Sequence, residues 1–384
     1  MKSLFIKKIL ANKLNLFPML FVLLPIGMVL FFNWRSGGDF ELVNQITSEQ
    51  AELQVVISQL QEELAKPNLD SQSQDHLKDS LTGSQAQLAN NQELLSAWED
   101  QDYTKAYSLM AEKVQQRRKG LSSHQNSQAI EALKRDEAYY RYLSEKNLKG
   151  DSIQSVFGLT FTYEIWRDYL PVLLTVAIVF VLSQVYSQAY YDHLPIYLLR
   201  PGNFLFRASH QMLGGLLFSI GIYILSLIFA CMLGTLFFEI GSLDLPVLIY
   251  DEKLQMIWQP LKDHLGQASI LQLLSLVSLV VTIYFISFAV KDKLLAVLIS
   301  LISTVGLMIL TYLVVPLQEI AHWIPFNYLQ SLAVVCGQHH QAIEINRLEV
   351  SFGIGINLAY SVIVLGLIYL LDQTRRKRYW NCEG

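Results

Sequence analysis

The side chains with the most chemical potential lie in the C-terminal third of the chain. Glu319 and His322 stand three apart and would meet on one helical turn, and His339, His340 and Glu344 follow. A zinc protease needs two imidazoles on one helical face and a glutamate as base, in the form His-Glu-x-x-His. Neither group has that form, and polar residues at a membrane interface explain both. Ser275, Ser278 and Thr282 share one face of an apolar run, and Gly353, Asn357 and Ser361 share one face of another. Small, weakly polar residues at this spacing serve close helix packing; the sharper alternative is the lining of a translocation path. No Gly-x-x-x-x-Gly-Lys phosphate loop, hydrolase elbow or kinase signature occurs in the sequence. The chain is therefore expected to be no enzyme by itself, with no catalytic residue, no metal ligand and no cofactor of its own.

A second feature is positional rather than catalytic. Residues 186–207, YSQAYYDHLPIYLLRPGNFLFR, form a polar and aromatic island between two long apolar runs. If those runs cross a membrane, a force applied from outside them would have to act on this island.

The elements around these residues follow from composition. The chain has 384 residues, 52% hydrophobic and only 16% charged, with a mean hydropathy of +0.31. That is too apolar for an ordinary soluble domain and fits a protein that crosses a membrane several times. Cys231, Cys336 and Cys382 are far apart and provide neither a disulfide framework nor a zinc pattern. No feature points to nucleic acid. Residues 1–15 carry Lys2, Lys7, Lys8 and Lys13, and Phe5, Ile6, Ile9 and Leu10 share a face, which predicts a short amphipathic helix on a membrane surface. The apolar runs are 16–32, 169–187, 208–238, 269–290, 294–315 and 351–371, each long enough to span a bilayer. After the first run comes Asn33-Trp34-Arg35, without a small-residue cleavage signature, so that run reads as an uncleaved anchor.

Residues 33–168 are hydrophilic and free of cysteine. Leu42, Ile46, Leu53, Ile57, Leu60 and Leu64 recur at spacings of three, four and seven, and Pro67 ends that pattern. A second pattern runs from Leu77 to Trp98, and two more cover 103–119 and 128–149, with Gly120 and Gly150 as stops. The apolar stripes are narrow, which favours a helical hairpin or coiled coil over a thick core. The fold class is thus an all-α polytopic membrane protein, with a large helical, coiled-coil-like extracellular insert between its first and second spans.

Orientation follows from lysine and arginine in the short loops. Four lysines precede the first span, Arg200 and Arg207 lie in the island, Lys291 and Lys293 in the break at 291–293, and Arg375-Arg376-Lys377-Arg378 in the tail at 372–384. Both termini and the loop 188–207 are expected in the cytoplasm, with the insert outside. The outer segments 239–268 and 316–350 are too long for tight turns. The latter holds Trp323, Pro325, Phe326 and Tyr328, an interfacial composition expected to dip into the outer leaflet as a re-entrant or surface-lying helical pair. No Asp, Glu, Lys or Arg lies within the six apolar runs, which argues against an ion-driven carrier.

This layout resembles the permease subunit of an ABC transporter, in the ABC type-2 exporter family. In that family the loop after the second span forms a coupling helix that docks on a separate ATPase. The stretch Gln188-Ala189-Tyr190-Tyr191-Asp192-His193-Leu194-Pro195-Ile196-Tyr197-Leu198-Leu199-Arg200-Pro201 has the matching length, the Leu-Leu turn and the final proline. It departs from the family at Tyr190, where an acid is common, at Asp192, in the place of a glycine, and at Phe204, where a basic residue often lies. Ile324-Pro325-Phe326-Asn327-Tyr328-Leu329, followed by Gly337, matches a Pro-Phe stretch in the family's re-entrant segment. The insert resembles those of Gram-positive permeases in being helical and polar.

The resemblance implies coupling contacts at Tyr190, Tyr191, Asp192, His193, Leu194, Leu198, Leu199, Arg200 and Pro201. It implies ATP and magnesium on an ATPase partner, a second permease subunit (an identical copy or a sister chain), membrane lipid as surroundings, and a bacterial plasma membrane as location. Cargo would be amphipathic, peptide-like or lipid-like, as in antimicrobial-peptide export or immunity. The alternative is a non-transporting membrane sensor or scaffold whose outer helical region binds a peptide or a cell-wall component.

Overall fold

Residues 16–37, 42–66, 71–121, 127–151, 154–187, 190–191, 194–195, 204–250, 256–339 and 348–381 are described in the computed structural model of the chain. Among them are six helices long and apolar enough to cross a membrane, as the apolar runs predict. The first, α1 (Leu16–Gly37), is apolar all round. Val22, Ile26 and Leu30 fall on one face and are buried, while Phe17, Leu20, Leu24, Met28 and Phe31 on the other remain exposed. An uncovered apolar face of this kind suits lipid rather than water.

The insert follows as four helices: α2 (Leu42–Leu64), α3 (Ser71–Glu99), α4 (Tyr103–Gly120) and α5 (Ser127–Lys146). Consecutive helices pack side by side. The turn from α3 to α4 is set locally: Gln101 takes a left-handed φ of 59°, and the Asp102 carboxylate accepts from the Lys105 amide. At the other end α5 stops at Lys146 rather than running to Gly150, because Asn147 turns left-handed at φ 49°. The narrow stripes make correspondingly small cores, Ile46 with Leu94 and Met110, and Tyr107 with Leu143 and Leu245.

Charge ties α2 to α4. Glu49 pairs with Lys113 and, at 2.8 Å, with Arg117. Burial alone would push the Glu49 carboxyl up, but the Lys113 hydrogen bond and charge, with Arg117, bring it below the usual carboxylate range. A depressed folded pKa contributes stability that is present above the unfolded value of about 4.3 and is lost as pH falls through the folded value. The groups are partly exposed, so each pair contributes only about 0.2–1 kcal/mol. Circular dichroism of the full chain should therefore show insert helicity weakening below about pH 4.3. Glu49→Gln should flatten that dependence, and an unchanged acid transition in the variant would exclude the pair as its source.

The second membrane helix, α6, covers Gly158–Ser187, beginning well before residue 169 where the apolar run begins. The chain entering it is held by Asp151, whose carboxylate accepts from the amides of Val156 and Phe157, each at 3.0 Å, just before the helix begins. A π-helical turn at Ile165–Tyr169 inserts an extra residue. The apolar run 169–187 is free of charge, but the helix extends upstream of it and takes in Glu164, Arg167 and Asp168. Asn33 of α1 donates to Glu164 at 3.1 Å, and Arg167 pairs with Asp168 at 2.6 Å, so these charges enter with partners.

The chain continues as β1 (Tyr190–Tyr191), β2 (Leu194–Pro195), α7 (Phe204–Phe237), β3 (Pro246–Tyr250), β4 (Met256–Pro260), α8 (Lys262–Val290) and α9 (Lys293–Leu313). A second π turn at Ile302–Gly306 lies within α9. Short turns follow: α10 (Val315–Glu319), 3-10 turns at Ala321–Trp323 and Pro325–Leu329, and α11 (Ser331–Val335), before the final helix α12 (Val350–Asn381). The all-α expectation needs one amendment, since β1–β2 and β3–β4 are antiparallel pairs. The most apolar windows of α6 and α8 are 72% and 67% buried against 22–33% for the other four, so these two helices form the centre.

The short turns between α9 and α12 fold back against α8 and α12. Tyr328 is fully buried and donates to the His322 carbonyl at 2.9 Å, while Asn327 donates to the Ala321 carbonyl at 2.8 Å. These bonds satisfy backbone groups that the broken helices leave open.

Candidate functional site

The loop between α6 and α7 includes four described positions. Tyr190 pairs with Pro195 and Tyr191 with Leu194 in an antiparallel register. The four described positions of 188–199 thus pair as two short antiparallel strands rather than forming helix. Pro195 has no backbone donor to offer a helix, which is consistent with that outcome. Asp192, His193, Leu198, Leu199, Arg200 and Pro201 lie outside the described residues, as does the amphipathic segment 1–15.

What surrounds the ends of this loop is well defined. Tyr186, the last aromatic residue of α6, meets the Tyr284 ring of α8 edge-on at 5.1 Å, and its hydroxyl donates to the Gln211 carbonyl of α7 at 3.3 Å. Tyr284 stacks on Phe288 at 6.2 Å, and Phe288 meets Phe204, the first residue of α7, at 5.2 Å. All four rings are buried. Both ends of the loop thus rest on one aromatic ladder carried by α8. Aromatic pairs of this kind contribute about 0.5–1.5 kcal/mol each beyond area burial.

The ladder also reaches the last helix. The Arg375 guanidinium of α12 sits 4.6 Å from the Phe288 ring centre and donates to the carbonyls of Phe288 and Ala289 at 2.7 and 3.1 Å. Those carbonyls belong to the last turn of α8, where no helical donor remains for them. Lys291 ends α8 in a left-handed conformation, and Asp292 accepts from the Leu295 amide to start α9. Burial, together with the neighbouring Arg375 charge, pushes the Lys291 ammonium below its ordinary value. In the sequence Arg375 and Lys291 are orientation signals only; the seat of Arg375 on the Phe288 ring depends on pairing α8 with α12.

The two small-residue faces meet each other. The Ser278 hydroxyl donates to the Asn357 carbonyl at 3.1 Å and lies 3.1 Å from the Ser361 hydroxyl. Thr282 donates to the Tyr360 hydroxyl at 3.0 Å, Ser275 bonds its own helix at the Leu271 carbonyl, and Asn357 donates to the Gly353 carbonyl at 2.8 Å. Gly353 lies against the Tyr328 ring, which leaves no room for a β-carbon. The bonds of Ser278 and Thr282 thus join α8 to α12, while Ser275 bonds only within its own helix.

On the far side of the molecule the insert is clamped to the segment between α7 and α8. Trp98, Tyr107, Tyr140 and Tyr139 form a run of ring contacts that ends on Trp258 of β4, 4.9 Å from Tyr139. The Trp258 indole donates to the Arg135 carbonyl at 3.1 Å, and Tyr142 donates to the Asp244 carbonyl at 3.2 Å. The hydroxyl of Tyr107 accepts from the Gly150 amide, and burial holds that phenol well above its ordinary pKa. The aromatic spacing within α4 and α5 was visible in the sequence, but the partner strand lies more than a hundred residues away.

Among the described residues, no group of three His, Cys, Asp or Glu side chains is placed to hold a metal ion. His322 instead packs its ring against Phe352 and Trp323, while His340 and Glu344 lie outside the described residues. Comparison of the chain with protein-family models, with curated proteins and with solved structures returns no match.

Proposed function

We propose that the chain is the membrane-spanning subunit of an exporter powered by a separate ATPase, moving an amphipathic, peptide-like or lipid-like substrate. The observation that carries this reading is the anchoring of the α6–α7 loop. Its two ends share the ladder Tyr186–Tyr284–Phe288–Phe204, so a displacement of the loop acts on α6, α7 and α8 together, and through Arg375 on α12. The sequence has no phosphate loop, so energy would come from ATP and magnesium on another chain. Nucleotide-driven closure of two ATPase subunits would bias such a coupled set between two arrangements. The exposed apolar faces of α1, α7, α9 and α12 suit lipid and a second permease subunit, identical or sister. In this reading the loop and both termini are cytoplasmic, and the insert is extracellular.

The direct test is co-purification with an ATPase encoded beside the gene, followed by ATP-dependent uptake of a candidate peptide into inside-out vesicles. Stable pairing and nucleotide-dependent uptake are expected. Uptake that is indifferent to ATP would favour the second reading, a sensor or scaffold. That reading draws on the clamp between the insert and β4, which would pass a binding event in the insert toward α8.

A further inference from the structure

The α8–α9 turn and the end of α12 bring together more positive charge than the packing of these helices uses. Arg375 donates to the carbonyls of Phe288 and Ala289, so it lies level with the last turn of α8. Lys291 stands two residues beyond Ala289, close enough to Arg375 for the two cations to repel each other. Lys293 opens α9 and is exposed. Helix α12 does not stop at Arg375 but runs unbroken to Asn381, through Arg375-Arg376-Lys377-Arg378. Four consecutive helical positions rise only about 4.5 Å, so the whole basic run stays near the level of the α8–α9 turn.

Opposing charge is scarce there. Beside these bases the same turns carry two acids, Asp292 and Asp372. Asp292 uses its carboxylate on the Leu295 amide at 2.8 Å, and Asp372 is only 2% exposed. Among the described residues, Lys291 and Lys293 form no ion pair. Like-charge crowding at Lys291 is relieved by an anion. Apolar surface adjoins this charge: Leu294 of α9 is 82% exposed, and Leu295 and Leu298 are exposed beside it. Leu367 and Leu370 of α12, just before the basic run, are exposed as well. Free phosphate would meet the bases and leave the leucines bare. An acidic protein surface would meet the bases but not leucines on membrane-crossing helices. An amphiphile with an anionic head and acyl chains matches both parts.

We infer that the α8–α9 turn and the basic end of α12 together bind the headgroup of an anionic phospholipid. Lys291 and Lys293 approach it from one side and the 375–378 run from the other, with the acyl chains along the exposed leucines of α9. Arg375 sets the spacing of the two groups of bases, because its bonds hold α12 against the end of α8. The inference needs only that these helices cross a membrane. Lipid binding by the purified chain requires no ATPase, and its failure would leave the exporter reading untouched.

The test uses the purified full chain in detergent, mixed with equimolar dioleoylphosphatidylglycerol and dioleoylphosphatidylcholine, with bound lipid counted by native mass spectrometry. The two lipids share their acyl chains and differ in net headgroup charge. The anionic lipid should be retained about fivefold or more over the zwitterionic one. Lys291→Asn suits the left-handed backbone at that position, φ 66°, and combined with Lys293→Gln should lower the preference about tenfold. Arg376→Gln with Lys377→Gln and Arg378→Gln should do the same, Arg375 being kept so that α12 stays against α8. Lys134→Gln removes an exposed base of the insert and should change nothing. The melting midpoint should stay near wild type in every variant. Three results would overturn the inference: equal retention of the two lipids, a preference unchanged in either multiple variant, or displacement of the lipid by an equal concentration of glycerol phosphate. The first would mean an ordinary lipid-facing surface, and the last a site for free phosphate groups.

Discussion

Replacing Gly234 with valine should pry apart α6 and α7 at their insert ends, with the largest stability loss of any single change considered. A β-carbon on Gly234 would lie 2.7 Å from the Gly158 α-carbon and 3.0 Å from the Val156 carbonyl oxygen. One on Gly158 would lie 2.2 Å from the Thr235 hydroxyl and 2.9 Å from the Cys231 carbonyl. The obstacles are largely backbone, which cannot rotate away as a side-chain tip can. The same contact is held by backbone bonds from Gly158 to Glu239 at 2.8 Å and from Leu159 to Ile240 at 2.9 Å. Overpacking a tight contact costs about 1–3 kcal/mol, and more when backbone bonds break with it. Gly221→Val provides the control, because nothing lies within 4 Å of a β-carbon there. Thermal melting in detergent should show a clear fall for Gly234→Val and little change for Gly221→Val; equal midpoints would refute the contact.

Alanine substitutions from Tyr190 to Leu194 should produce the largest functional loss. If the loop receives the ATPase, removing its central side chains should weaken pairing by about 2 kcal/mol or more for the dominant residue, roughly thirtyfold in affinity. Transport should fall in parallel. Because the ladder beneath the loop is untouched, the melting midpoint should stay near wild type. Full pairing and full transport throughout the series would sink the proposed function. A loss of transport with pairing retained would assign the loop to transmission, through Tyr186 and Phe204, rather than to docking.

The exporter and sensor readings ask different things of the same framework. Both need a rigid link from the insert to the membrane helices. The structure has one in the ring contacts from Trp98 to Trp258, and β4 leads within two residues into α8. That helix carries the aromatic ladder at its other end.

How much of this was legible in the sequence follows from the range of the forces involved. The six membrane helices and the four insert helices were readable because hydrophobic run length and helical period are local properties, expressed within twenty or thirty residues. Even so, α6 starts at Gly158, upstream of the apolar run at 169–187, and its first turns, with the charged Glu164, Arg167 and Asp168, fell within the polar stretch 33–168. Their partners, Asn33 among them, lie outside any local window. The Ser278 and Asn357 faces were found by spacing, yet only the pairing of α8 with α12 placed them against each other. The pairing of Tyr190 with Pro195 and Tyr191 with Leu194 was not part of the helical expectation for that loop.

The sequence by itself determined that this chain is a multi-span helical protein with a polar helical insert and no phosphate loop of its own. Composition, run length and the absence of a motif are each decided without reference to neighbours in space. Tertiary structure alone decided the glycine contact at 158 and 234, the ladder that joins both ends of the α6–α7 loop, the clamp on Trp258 and the meeting of Arg375 with the end of α8. Each of these depends on distance between residues remote in the chain, where packing and hydrogen-bond satisfaction, rather than periodicity, set which groups meet.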